Sequence, residues 1–115
     1  MLRVNWDIEE LVAIIDLCVN REGKKTETIS EELEELSSAL NIRADKLGIP
    51  HDDKFRNLNG MKMTYQNVLF VISKGEIGLS GANKMISEVY RLYIENPKVF
   101  FAILDQFNRY YRLRE

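Results

Sequence analysis

The chain has 115 residues, 45% of them hydrophobic and 30% charged, with a net charge of -2 and one cysteine. That size and balance fit one compact domain around one core; the single cysteine excludes a disulfide framework, and the acidic balance argues against strong, indiscriminate nucleic-acid binding. No apolar run reaches the roughly 18 residues that a bilayer span needs, and Met1-Leu2-Arg3-Val4-Asn5 lacks the apolar stretch of a secretion signal, so a cytoplasmic location is expected.

The first predicted element is a helix over residues 7–20. Asp7-Ile8-Glu9-Glu10 has the form of a capping box, and Leu11, Ile14, Ile15, Cys18 and Val19 recur at helical spacing. Trp6, just ahead of the cap, reads as a hydrophobic staple onto Glu10-Leu11, with base stacking as its alternative. Cys18 lies on the apolar face, where a buried free thiol is expected. After the polar break at Arg21-Glu22-Gly23, the series Ile29, Leu33, Leu36, Leu40, Ala44 and Leu47 predicts a second helix over 29–47, stopped by Gly48 and Pro50. Its acidic run at Glu31, Glu32, Glu34 and Glu35 reads as a solvated face.

Ile49 to Leu58 lacks apolar periodicity and is read as a surface loop. It ends in Arg56-Asn57-Leu58-Asn59-Gly60, which places a cation, two carboxamides and a glycine ahead of a third helix over 60–73, expected to be the central one. Guanidinium and amide groups suit phosphate oxygens and base edges, and Gly60 would let backbone N–H groups approach a ligand. The same residues allow a purely structural reading, with Asn59 capping the helix and Arg56 and Asn57 tying down the loop. Gly75, Gly78 and Gly81 punctuate the next loop. Met85, Ile86, Val89, Tyr90 and Tyr93 predict a fourth helix over 83–95, and Asn96-Pro97 opens a fifth over 97–113. Near its end Arg109, Tyr110, Tyr111, Arg112 and Arg114 interleave cations with aromatics; core closure by the tyrosines is preferred there over nucleic-acid contact. The fold class is therefore all-α, a single domain of about five helices.

Charge is unevenly spread. Residues 1–50 carry 6 basic and 11 acidic side chains, a balance of -5, whereas residues 51–115 carry 10 and 7, a balance of +3. A locally basic half suits a short, specific nucleic-acid contact. Catalytic material is sparse: His51 and Cys18 are the only residues of their types, no Gly-Lys-Ser or Gly-Lys-Thr phosphate loop occurs, and Asp52-Asp53 lacks placed partners for a metal. A non-enzyme without cofactor or metal is expected.

The order Asn5-Trp6-Asp7-Ile8-Glu9-Glu10-Leu11, Ile29 through Leu36-Ser37, Phe55-Arg56-Asn57-Leu58-Asn59-Gly60-Met61, Asn67 and Gly78-Leu79-Ser80-Gly81 resembles the N-terminal domain that precedes the catalytic domain in many bacterial HNH restriction endonucleases, some described as methylcytosine-specific. The resemblance covers nearly the whole chain. It implies a DNA-recognition module of a restriction or defence system, with double-stranded DNA, methylated or not, as partner and an HNH nuclease domain supplied in cis or in trans. The expected DNA-binding residues are Arg56, Asn57, Asn59, Gly60, Lys62 and Asn67, with Arg56 and Lys62 on phosphates. Leu58, Thr64 and Tyr90 stand where such domains usually have proline, lysine and tryptophan, so Lys62 would replace the missing helix cation. Nothing resembles the HNH metal motif. The alternative function is a protein-interaction or homodimerisation module, suggested by the apolar 61–73 segment.

Overall fold

The computed structural model describes residues 4–112; the Met1 to Arg3 start, Arg114 and the expected end of the last helix at 113 lie outside the described residues. Five helices make up the all-α domain: α1 (Ile8–Val19), α2 (Thr26–Leu47), α3 (Leu58–Ile72), α4 (Asn83–Glu95) and α5 (Pro97–Tyr111). α1 touches all four others, while α2, α3, α4 and α5 each touch their two neighbours in a closed ring around it. The sequence explains why α1 takes the middle. Leu11 to Ile15, Leu17 and Cys18 are all buried, so the helix is apolar nearly all round and must be enclosed. The expectation that 61–73 is the central helix is corrected by this arrangement: α3 buries Met61, Tyr65, Val68 and Leu69 but leaves Asn59, Lys62 and Met63 exposed.

Local chemistry sets the helix ends. At α1 the Glu10 backbone N–H donates to Asp7 Oδ1 and the Asp7 N–H donates to Glu10 Oε1, closing the capping box in both directions. Trp6 precedes that cap and packs on the core. α2 begins three residues earlier than expected, at Thr26, because its first turn is polar and half-exposed and carries no apolar periodicity. It ends at Gly48, whose φ of +70° turns the chain left-handed so that the Ile49 N–H reaches back to the Ala44 carbonyl. α3 begins two residues early because Asn57, not Asn59, is its cap: Asn57 Oδ1 accepts from the Gly60 N–H at 2.9 Å. α4 has the bounds expected of it, and Pro97 opens α5.

The loop between α3 and α4 lies against α3. Leu79 N–H donates to the Gln66 carbonyl, and Asn67 Nδ2 donates to the Leu79 carbonyl at 2.9 Å. Gly78 is required at this crossing, since a Cβ there would lie 2.4 Å from the Gln66 carbonyl oxygen and its φ is +84°.

Candidate nucleic-acid interface

The six residues expected to meet DNA fall into three different environments. Arg56 is turned inward. Its side chain is 8% exposed against 2% for Glu10, and the two form a fork, Nε to Glu10 Oε2 and one terminal nitrogen to Oε1, both 2.9 Å. The remaining guanidinium donors reach the carbonyls of Val4 at 3.1 Å and Asn5 at 3.2 Å. The same group stacks on the rings of Trp6 and Phe55, 4.5 and 4.3 Å from their centroids. The expected phosphate contact through Arg56 is therefore corrected: its charge is matched and its donors are engaged inside the protein. Backbone grips from α2 hold this arrangement, with Ser37 Oγ donating to the Arg56 carbonyl and Asn41 Nδ2 to that of Phe55. Arg56 itself sits at a left-handed φ of +50°, a conformation a non-glycine residue keeps only where its surroundings impose it.

A second ion cluster flanks the first. Arg43, buried on α2, pairs with Glu9 and, at 2.8 Å, with Asp7. Burial works against its charge, but the two carboxylates outweigh that and raise its pKa above the usual guanidinium value. Together Arg43 and Arg56 fasten the chain on either side of the α1 cap to α2 and to the start of α3.

Asn57, Asn59, Gly60 and Lys62 are exposed. Asn57 spends its carbonyl oxygen on the helix cap, and the Gly60 N–H is the group it satisfies, so that N–H is not offered to a ligand. Asn59 makes no side-chain hydrogen bond and Lys62 no ion pair among the described residues. Lys54, in the preceding loop, is likewise exposed and without an ion pair among the described residues. Asn67 is 9% exposed and is bound to Leu79. At roughly 100° per residue, Asn59 and Lys62 lie about 60° apart around α3, whereas Lys62 and the buried Asn67 lie about 140° apart. The structure thus groups Asn59 and Lys62, with the capping Asn57 ahead of them, and sets Asn67 apart.

Asn67 belongs instead to a cleft of about 410 Å³ between the segment ahead of α1, α3 and the start of α4. Gly60, Thr64 and Asn67, spaced i, i+4 and i+7, run along the α3 edge beside it, with Thr64 and Asn67 among its lining residues. Trp6 and Asn5 form the opposite wall, and Leu11, Met85 and Ile86 supply an apolar floor. The sequence reading missed this site. The signal that could have found it was the staple itself: Trp6 and Leu11 stand at the two positions that bracket a helix start, so the α1 side of the cleft is fixed by that start.

The C-terminal cations and aromatics divide similarly. Tyr111 packs on the core beside Phe107, Tyr110 is exposed, and Arg112 pairs with Glu35 on α2. Only one of the two tyrosines closes the core.

Among the described residues no group of three His, Cys, Asp or Glu side chains is placed to hold a metal ion, and none of the helices is long and apolar enough to cross a membrane. No protein-family model, curated protein or solved structure matches this chain.

Proposed function

We propose that the chain is a non-catalytic DNA-recognition module that meets duplex DNA through the first two turns of α3. The observation that carries this reading is the placing of Asn59 and Lys62, exposed and about 60° apart around α3, just after the exposed cap Asn57 on a helix start fixed from behind by the Arg56–Glu10 fork. Lys62 supplies a phosphate contact, the Asn59 amide supplies a donor and an acceptor suited to a base edge, and the Asn57 Nδ2 group adds a donor. Lys54, exposed in the loop ahead of the cap, is a second cation in the half of the chain whose charge balance is +3. Arg56 acts here as a positioning residue. The resemblance to the N-terminal domains of HNH restriction endonucleases points the same way, to a bacterial defence role in which a nuclease domain in cis or in trans performs cleavage.

The test is binding to labelled duplex DNA, unmodified and cytosine-methylated, across a salt series. Phosphate contacts predict a linear fall of log affinity with log salt, with a slope near -0.9 per neutralised phosphate. A folded chain that binds neither duplex at any salt would end the proposal.

A protein-interaction or homodimerisation role is the second reading, favoured by exposed Ile94, Val99 and Phe101 around the α4–α5 corner. A mass that rises with concentration and returns to monomer in Phe101→Ser would favour it.

A further inference from the structure

We infer that the cleft walled by Trp6 is a receptor for a single unstacked nucleobase. The inference deepens the DNA-recognition reading and rests on it for the choice of ligand, but it stands on a separate set of groups.

Trp6 lines the cleft, and its position is not left to chance. The guanidinium of Arg56 stacks on its ring and at the same time holds the carbonyls of Val4 and Asn5. An aromatic wall fixed in this way stacks a flat ring without first having to be ordered. Leu11, Met85 and Ile86 add apolar surface, as ring faces require.

The polar groups are few and their valences are specific. Asn67 is about nine-tenths buried, and its Nδ2 is committed to the Leu79 carbonyl. A carbonyl can only accept, so the amide orientation is settled and Oδ1 is the atom left over. Oδ1 accepts no hydrogen bond among the described residues. The Thr64 hydroxyl, one turn away on the same edge of α3, and the Trp6 indole N–H also have no partner among the described residues. A ligand that satisfies the site while stacked on Trp6 therefore carries an N–H donor for Asn67 and an acceptor for Thr64 at the rim of a planar ring. Nucleobase edges carry that combination. A cleft of about 410 Å³ has room for one base with its sugar, supplied by a free nucleotide or swung out of a strand.

Trp6 is the sole tryptophan, so its emission reports directly on stacking in the cleft. The experiment follows that emission in the whole chain during titration with nucleoside monophosphates, a single-stranded oligonucleotide, a fully paired duplex and a duplex with one mismatched pair. Lys62→Ala tests the helix-start contacts. Thr64→Phe fills the cleft from α3 without touching the Arg56–Glu10 fork, and Thr64→Val, a smaller change, replaces it should the larger side chain prevent folding. The expected result is a saturable emission change with nucleotides and single strands, and roughly tenfold tighter binding of the mismatched than of the paired duplex, because a base already unpaired is easier to extrude. Thr64→Phe should abolish the emission change, and Thr64→Val should weaken it several-fold. Nucleotide binding that is lost in Thr64→Phe, with no duplex binding at all, would keep the cleft as a nucleotide site and end the duplex reading. Salt-sensitive duplex binding that is weakened by Lys62→Ala, with unchanged emission and no effect of Thr64→Phe, would overturn the cleft and leave the module. An emission that no ligand alters would overturn it as well.

Discussion

Arg56 and Glu10 meet as a two-point fork, both contacts 2.9 Å, across 46 residues of sequence. Glu10 Oε1 also accepts the Asp7 N–H, so one carboxylate completes the α1 cap and neutralises the cation at the start of α3. Arg56→Ala would leave that carboxylate buried and unmatched, a change that costs about 3–5 kcal/mol. Thermal and denaturant melts should show a large loss of stability. An unchanged melting temperature with weakened DNA binding would instead make Arg56 a contact residue.

The helix-start contacts separate from stability. Lys62 is exposed and makes no ion pair among the described residues, so Lys62→Ala should leave the melting temperature within a degree or so and reduce the salt slope of DNA binding by about 1. Asn59→Ala should weaken binding with no change in slope, since an amide neutralises no phosphate. Equal slopes for Lys62→Ala and the unaltered chain would remove the phosphate role from Lys62.

His51 provides a pH-dependent tie. Its Nδ1 faces the Asp52 carbonyl at 3.0 Å and its Nε2 faces Asp45 Oδ1 at 2.8 Å, and both partners only accept, so both bonds form only in the charged imidazolium. The Asp52 carbonyl first, and the Asp45 carboxylate next, raise its pKa above 6.5. A raised pKa in the folded state means that the tie contributes fully below about pH 6.5 and is lost as pH rises through the higher folded value. The lone histidine is assigned without ambiguity in an NMR titration. Asp45→Asn should move its midpoint down, and no movement would show that the Asp45 contact does not form in solution.

Gly78 and Gly81 hold the α3–α4 loop against α3. A Cβ at Gly81 would lie 2.9 Å from Asn67 Nδ2, and the Gly78 position is tighter still and left-handed. Gly78→Ala should cost about 1–3 kcal/mol and loosen the loop, read as faster amide exchange at Leu79. Protection equal to that of the unaltered chain would mean that the loop reaches Gln66 by another path.

Cys18 is wholly buried on α1, and burial pushes its thiol up to about 12. Thiol reagents should modify it only at the rate of unfolding, with denaturant restoring full reactivity. Rapid labelling of the folded chain at neutral pH would contradict the enclosed position of α1.

Local signals announced much of this architecture and could not announce its centre. The Asp7 capping box, Asn96-Pro97 and the apolar spacing of Met85 to Tyr93 placed helix ends within a few residues, because each depends on neighbours a turn away. Which helix is enclosed depends on how all five pack, and α1 outranked α3 because its buried residues cover more of its circumference. Arg56 and Asn59 read alike as exposed donors in a polar loop. Glu10, Trp6, Val4 and Asn5, which draw Arg56 inward, precede it by some fifty residues, and no local pattern links them.

The length of those links also orders assembly. The pairs Glu10–Arg56 and Asp7–Arg43 close chain loops of 46 and 36 residues, and loop closure must precede the gain from such contacts. Trp6 is synthesised about 50 residues ahead of Arg56, so the guanidinium over its ring arrives only when α3 has docked. In refolding, the tryptophan signal should therefore lag behind helix formation and mark the last step to the native state.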